Sequence, residues 1–286
     1  MKTVLVTGAS GLLGRSVVKH LLKGGFLVIS SIMPIEQATY VPNLGEQVVL
    51  NDDVFAGNLP HIDVVINCAF ARSNNAEQLA SAFDFTTKLI EGFRKAEIDG
   101  VINISSQGVY KRLPVGQLSH EDSPIEPIDT YSVSKYAVEK MFIISGIKHV
   151  TSVRLASLNM KQRFLYHFVR NAKEEGVIHL DSPRVYASIL DVEDAAAGLT
   201  ALASVPTSQW KGAYNLGIGT QYSLEEYAKA VKEVGEKLGY KIEIVINDNG
   251  NESTAGMDIS QLVTDTKWKP IVTNAMMIES LFNSKE

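Results

Sequence analysis

An α/β fold, with a doubly wound parallel sheet and a smaller C-terminal lobe, is what this sequence predicts. Three observations carry the prediction. Short β-branched runs alternate with helically spaced apolar stretches along most of the chain. The first such run ends in a glycine-spaced turn that opens a helix, and the alternation changes character after Leu155. Apolar strands interleaved with helices imply a parallel sheet covered on both faces.

The elements follow in order. KTVLVT (2–7) is a β-branched run that stops at Gly8. Leu12, Leu13, Val17, Val18, Leu21 and Leu22 have helical spacing, and Gly24-Gly25 end the helix. FLVIS restores a strand, which completes a strand–turn–helix–strand unit of crossover size. VVL (48–50) and HIDVVINC (61–68) read as strands, 76–96 as a helix, GVINIS (100–105) as a strand, 129–146 as a helix and HVTSVRL (149–155) as a strand.

Beyond Leu155, KQRFLYHFVRNAKEEG reads as a helix rich in aromatics and charge, and IHLDSPR as a loop or short strand. VYASIL and DVEDAAAGLTALA resume a strand–helix pair, and AYNLG (213–217) is a further strand. SLEEYAKAVKEVGEKLG (223–239) is a helix and KIEIVI (241–246) a strand, and a polar tail ends in TKWKP. No Pro/Ser-rich linker divides the halves. The expected organisation is a core of 1–155 and about 186–217, with a smaller lobe of about 156–185 and 218–286.

TGASGLLG places Gly8, Gly11 and Gly14 three apart where strand becomes helix. The first glycine permits a tight turn, the second lets a phosphate approach the backbone, and the third lets the helix pack onto the strand. The helix N-terminus adds free N–H groups and partial positive charge. This turn, after the first strand of a crossover unit, predicts dinucleotide binding and a Rossmann-type sheet. At the end of the second strand an acid usually holds the ribose of NAD, and an Arg accommodates the extra phosphate of NADP. Here Ile32 stands at the acidic position, Ser30 and Ser31 can hydrogen-bond either form, Glu36 lies further along, and no Lys or Arg occurs between Lys23 and Arg72. The reading favours NAD without excluding NADP.

Composition narrows the classes. With 27 basic against 32 acidic residues and a net charge of −5, nothing favours nucleic-acid binding. The single cysteine, Cys68, permits no internal disulfide and fits a reducing compartment. No apolar run is long enough to span a bilayer, and a cytoplasmic location is expected. The six histidines show no metal-ligand spacing, so no metal is expected.

YSVSKYAVEK (131–140) offers two Tyr…Lys pairs four apart, Tyr131 with Lys135 and Tyr136 with Lys140. Residues four apart share a helix face, so an ammonium can sit beside a phenol. A phenol of pKa near 10 becomes a useful base only if phenolate is favoured by roughly three units, about 4 kcal/mol. Tyr136 lies about 140° around the helix from Tyr131, so both cannot face one pocket. Before this helix, GVINIS ends at Ser105-Ser106, at the carboxyl end of a strand where ligands of such sheets bind.

Taken together, TGASGLLG, INISSQGVY, EDSPIEP, YSVSK with Glu139, RVYASILDVEDAA, YNLGIGTQYSLEE and MDIS…WKP occur in an order that resembles the extended short-chain dehydrogenase/reductase family. These are the NAD-dependent nucleotide-sugar epimerases, dehydratases and reductases, and the similarity runs nearly end to end. It implies that Tyr131 is the acid/base, that Lys135 binds the nicotinamide ribose and lowers the Tyr pKa, and that Ser106 positions substrate. Ser106, rather than Ser105, stands four before Tyr110 as the family's hydroxyl does. Cofactor contacts are implied for Gly8, Ser10, Gly11, Leu12, Leu13, Gly14, Ser30, Ser31, Asp52, Cys68, Ala69, Ser105, Tyr131, Lys135 and Leu155. Substrate contacts are implied for Ser106, Gln107, Ser157, Asn159 and Arg184, the last near a nucleotide diphosphate. The implied substrate is a UDP- or dTDP-sugar, and the implied quaternary state is a homodimer paired through helices 76–96 and 129–146.

Departures from the family pattern sharpen this. Gln107 and Gly108 stand where 4,6-dehydratases carry two acids, so dehydration is disfavoured. Lys111 replaces the usual glycine after Val-Tyr, only Arg154 remains of the usual stretch after the sixth strand, and a second diphosphate-binding Arg has no counterpart in NDNGNESTAGMDIS. Cys68 reads as a pocket wall rather than a nucleophile. Asp52 and Asp53 fit either an adenine contact or solvated turn acids. Epimerisation with retained NAD is the leading expectation. A keto-sugar or other carbonyl reductase, or a non-catalytic dinucleotide sensor, is the alternative.

Overall fold

The structure, a computed structural model, describes residues 1–33, 45–49, 53–70, 75–160 and 163–284. The first half of the chain alternates strand and helix: β1 (Thr3–Thr7), α1 (Leu12–Lys23), β2 (Leu27–Ile32), β3 (Glu46–Val49), β4 (Val64–Asn67), α2 (Ala76–Lys95), β5 (Gly100–Ser106), α3 (Thr130–Ile143) and β6 (His149–Leu155). With β11 (Ala213–Leu216) these strands form a seven-stranded parallel sheet in the order β11-β6-β5-β4-β1-β2-β3. The order reverses beside β1, which opens a crevice between the C-terminal ends of β1 and β4. Open parallel sheets bind ligands at such a point.

Both faces are covered, as continuous apolar strands require. On one face Val4, Val6, Ile66 and Ile104 pack against Val17, Val18 and Leu21 of α1 and Ala195, Leu199 and Leu202 of α5 (Val192–Ser204). On the other, Leu5, Val65 and Val101 meet Leu89 and Phe93 of α2 and Val138 and Phe142 of α3. One buried row breaks the apolar pattern. Thr7, Asn67, Asn103 and Ser152 stand in register across β1, β4, β5 and β6. Thr7 Oγ1 donates to Asn67 Oδ1 at 2.6 Å, and Asn67 Nδ2 donates to Asn103 Oδ1 at 3.1 Å. Thr7 Oγ1 also accepts from the Ala69 N–H at 3.3 Å, which ties the end of β4 to the strand that carries the glycine turn.

A second apolar cluster gathers α4 (Phe164–Glu174), β8 (Val177–Leu180), α6 (Leu224–Lys237), β13 (Glu243–Ile246) and α8 (Asn274–Asn283), with Leu165, Tyr227, Val231 and Ile278 at its centre. α6 starts in a full capping box, Ser223 with Glu226, which satisfies two helix-end donors. The tail is more ordered than its polarity suggests. It holds α7 (Ser260–Thr266), ended by Lys267 at φ 63°, and α8, capped by Thr273. Met257, Ile259, Leu262 and Trp268 pack into the main core rather than into the smaller cluster. Short strands β7 (Ser157–Leu158) and β10 (Ile189–Leu190) pair in parallel beside the end of β6. The stretch VYASIL divides between β9 (Tyr186–Ala187) and β10, with β12 (Tyr222–Ser223) antiparallel to β9.

Candidate active site

The glycine turn occupies the crevice. Gly8 sits at φ 65°, a conformation L side chains rarely adopt, and a Cβ there would lie 2.9 Å from the Ala69 nitrogen. At Gly14 a Cβ would come within 2.1 Å of the Gly8 carbonyl oxygen, so α1 reaches the turn only because this residue is glycine. Gly11 is the N-cap of α1; it has no side-chain capping bond, and the first turn holds no acid. The opening N–H groups of α1 therefore face the crevice side with their positive dipole end uncompensated by a side chain. Ser10 and Leu13 are half-buried and Leu12 is exposed.

At the second strand, Ser30 and Ser31 are buried within β2, whereas Met33 beyond the strand end is exposed. Asp52 lies outside the described residues, as does Glu36. The Cys68 thiol is pushed up to about 12 by burial, against the opposing pull of Lys135. It stays a neutral thiol at ordinary pH, as a wall residue would.

β5 ends at Ser106, whose Oγ accepts from the Gly108 N–H at 3.1 Å and opens a short 3-10 turn, Gln107–Val109. Ser105 is buried, and its hydroxyl has no hydrogen-bond partner among the described residues. A Cβ at Gly108 would fall 2.4 Å from Ser132 Oγ, so the turn lies close against α3 and a side chain here would require that hydroxyl to rotate away. Gln107 Nε2 donates to Ser157 Oγ at 3.2 Å, while Gln107 Oε1 and Asn159 Oδ1 are buried without partners among the described residues. Gln107 and Gly108 also border a cavity of about 120 Å³ that Arg112, Asp129, Gly256 and Met257 close from the other side.

α3 separates the two Tyr…Lys pairs. Asp129 caps it, accepting the Ser132 N–H at 2.7 Å, and Tyr131 lies in its first turn. Lys135 is only 5% exposed, and its Nζ donates to the Ile104 carbonyl at 2.9 Å, which places it against the end of β5. Burial pushes its pKa down to about 8, with Cys68 and Glu139 acting the other way. The Lys135 Nζ lies 5.9 Å from the Tyr131 ring centroid. Lys140 is exposed and covers the half-buried Tyr136 ring at 4.7 Å, and Tyr136 packs on the main core. Only the first pair is at the strand ends.

Arg154, read from sequence as a remnant of a ligand-contacting stretch, is engaged inside the protein. Its Nε and Nη2 bind the two carboxylate oxygens of the 2% exposed Glu139 at 3.1 and 3.0 Å. Its Nη1 donates to Tyr110 Oη at 2.9 Å and to the Glu121 carbonyl at 2.8 Å, and Tyr110 donates on to Asn215 at 2.7 Å. Burial opposes the guanidinium charge, but Glu139 more than compensates. Leu155, next along β6, is buried.

Arg184 stands apart, exposed, and faces a carboxylate: Nη1 lies 3.1 Å from Asp248 Oδ2. Two partners escaped sequence reasoning. Asp248 sits in a run that showed no pattern. Phe70 follows Cys68-Ala69, where an aromatic directly after a strand end was the available signal. Its ring lies 3.9 Å under the Lys135 Nζ and edge-on to Tyr131, centroids 5.8 Å apart. At the opposite strand edge, His61, Asp63 and Asp99 gather, but Asp63 already accepts the Thr3 N–H at 2.6 Å.

The sequence profile of the NAD dependent epimerase/dehydratase family matches residues 4–217. The chain belongs to that family. The cofactor is accordingly NAD. Among family relatives, a Methanocaldococcus jannaschii protein named "Putative UDP-glucose 4-epimerase" is 25% identical, with 93% of each chain covered. The solved UDP-N-acetylglucosamine 4-epimerase of Bacillus cereus superposes with a TM-score of 0.79 at 20% identity, covering 99% of this chain and 96% of that one. UDP-glucuronic acid 4-epimerase of Bacillus cereus, in complex with UDP-glucuronic acid and NAD, gives 0.80 at 18% identity and 98% of each chain. At these identities the structural likeness shows the fold, a Rossmann-type sheet. No helix among the described residues is long and apolar enough to cross a membrane.

Proposed function

We propose that this protein interconverts nucleotide sugars by NAD-dependent epimerisation, with Tyr131 as the proton-transfer group. One observation carries the reading: a buried ammonium, Lys135, sits one helical turn from Tyr131 beside the glycine cradle, while the second Tyr…Lys pair is used in packing. The names of the three proteins compared above, each a UDP-sugar 4-epimerase, support the same class.

Gly8, Ser10, Gly11, Leu12, Leu13 and Gly14 would cradle the pyrophosphate, with Ala69, Cys68, Ser105, Leu155 and the β2 serines forming the walls. A nicotinamide bound there would supply reversible hydride exchange with the sugar carbon. Tyr131 Oη accepts the proton of the reacting hydroxyl and later returns it. Lys135 keeps that phenol acidic by placing positive charge beside it in a site shielded from water. Ser106 Oγ holds the reacting oxygen within reach of Tyr131. Gln107, Ser157 and Asn159 present polar atoms to the sugar side, and Arg184 meets the diphosphate. Gln107 and Gly108 offer no carboxylate, so loss of a hydroxyl lacks its acid. Val133, Ile143 and Ile144 are exposed along α3, and pairing of α2 and α3 with a second copy would cover them.

A second reading is favoured by one contact. Asp248 neutralises Arg184, which suits a carbonyl substrate without a diphosphate, and one relative is named a sterol-4-alpha-carboxylate 3-dehydrogenase. The test is a panel of UDP-glucose, UDP-N-acetylglucosamine and UDP-glucuronic acid offered to the protein with NAD, with C4 epimers followed by NMR. Epimer formation that falls about a thousandfold in Tyr131→Phe is expected. Turnover only of a free ketone with NADH would favour the second reading.

A further inference from the structure

Four charged side chains are buried among the described residues: Lys135, Glu139, Arg154 and Asp194. Glu139 and Arg154 satisfy each other, and Asp194 accepts the Ile271 and Val272 N–H groups at 3.0 and 2.8 Å. Lys135 is different. Its hydrogen bond goes to a neutral carbonyl, that of Ile104, and the nearest carboxylate on its own helix, Glu139, is already held by Arg154. A desolvated ammonium without an anion tends to lose its proton. The face of Lys135 turned from Ile104 is covered instead by the Phe70 ring, with Nζ 3.9 Å from the centroid. The edge of the same ring meets Tyr131 at an interplanar angle of 84°.

We propose that Phe70 is a positioning residue of this centre: its ring face keeps Lys135 charged, and its edge fixes the Tyr131 ring. The proposal rests on the reading of Tyr131 and Lys135 as the proton-transfer pair. A cation over an aromatic face is stabilised by the ring quadrupole, most strongly where water is excluded, by the equivalent of about one pKa unit or more. An edge-to-face ring contact adds orientation. The charged or titratable groups that face Lys135 are Cys68 at the end of β4 and Tyr131 and Glu139 on α3. The Cys68 thiol stays neutral up to about 12, and Glu139 stays paired with Arg154. The thiol does not change state while Lys135 titrates near 8, so the ring is the contact a substitution can vary independently.

The sign follows. Without the ring, the ammonium loses a stabilising contact and its pKa falls further. The phenol then loses its neighbouring cation at lower pH and holds its proton more tightly.

The experiment titrates both groups in the full chain without any substrate. Lys135 is followed by ¹⁵N-lysine NMR, assigned with Lys135→Met, and Tyr131 by phenolate absorbance, assigned by difference from Tyr131→Phe. In Phe70→Leu the Lys135 midpoint should fall by about one unit and the Tyr131 midpoint should rise, and Phe70→Trp should restore both. Unmoved midpoints in a folded Phe70→Leu protein, or failure of Trp to restore them, would overturn the proposal. Should Leu prevent folding, 3,4,5-trifluorophenylalanine at position 70 keeps the shape and weakens the ring face. It should shift the midpoints in the same directions, and no shift would equally overturn it. A separate result bears on the underlying reading: if Tyr131→Phe still epimerises UDP-sugars at full rate, that reading fails whatever the midpoints do.

Discussion

The two sides of the crevice are built on different terms. On the cofactor side, glycines stand where any Cβ would strike backbone, and the buried Thr7–Asn67–Asn103 row locks the strands that carry the turn. Little there can vary without loss. On the substrate side, the polar atoms are presented but loosely committed. Gln107 Oε1 and Asn159 Oδ1 are buried without partners among the described residues, and Arg184 faces Asp248 at the surface. The difference teaches that the glycine cradle is specified by backbone geometry, which a sequence displays as glycines, whereas the proposed sugar site rests on side-chain pairings made across distant segments.

That contrast can be broken experimentally. The largest effect on cofactor retention is expected at Gly14→Ala, because the new Cβ would lie 2.1 Å from the Gly8 carbonyl oxygen, and only backbone can move to relieve it. NAD content after purification should drop by more than about tenfold, and the melting temperature should fall with it, overpacking of this kind costing about 1–3 kcal/mol or more. A variant that keeps its NAD would show the turn to be less constrained than its contacts require.

Next comes Glu139→Gln. It leaves the buried Arg154 guanidinium without its carboxylate, and the expected cost is about 3–5 kcal/mol in urea or thermal unfolding. A loss below about 1 kcal/mol would mean that Tyr110 and the Glu121 carbonyl suffice to hold that charge.

Lys135 gives a signature in pH. Its folded pKa is lowered from 10.5 to about 8 by burial, so below 8 the native state carries a charge it would rather release, and stability is reduced there. As pH rises from about 8 to 10.5 the unfolded chain still holds this proton and the native chain does not, so this group's contribution to stability improves by up to about 3 kcal/mol. Lys135→Met should lack that rise when its pH–stability curve is compared with the parent's. Parallel curves across this window would contradict a buried ammonium.

The smallest effect is expected on the substrate side. Asp248→Asn frees an exposed Arg184, and exposed pairs carry about 0.2–1 kcal/mol. UDP should bind up to about fivefold more tightly by calorimetry, an advantage that salt erodes. Weaker UDP binding would place Asp248 among the ligand's partners instead of its competitors.

The same contrast explains what the sequence made legible. The choice of Tyr131 over Tyr136 rests on the family resemblance; the crossover rhythm and the glycine turn depend on spacing along one segment, and each matches the element found. Arg154 did not, since its ligand Glu139 belongs to a neighbouring helix and the pairing spans two elements. Ser30 and Ser31 are buried because β2 continues to Ile32, an extent the sequence pattern does not display. The first tail helix was hidden because α7 begins without a capping side chain and runs only seven residues. Phe70 is an isolated aromatic in sequence and gains meaning only when α3 brings Lys135 over its face.

The most direct test of the account follows one hydrogen. UDP-glucose deuterated at C4 is incubated with the NAD-loaded protein in ordinary water, and the C4 epimer is examined by NMR. The account predicts that the deuterium stays on C4 of the product and that Tyr131→Phe forms none of it. Product that has exchanged C4 deuterium for solvent hydrogen, or undiminished conversion by Tyr131→Phe, would contradict it.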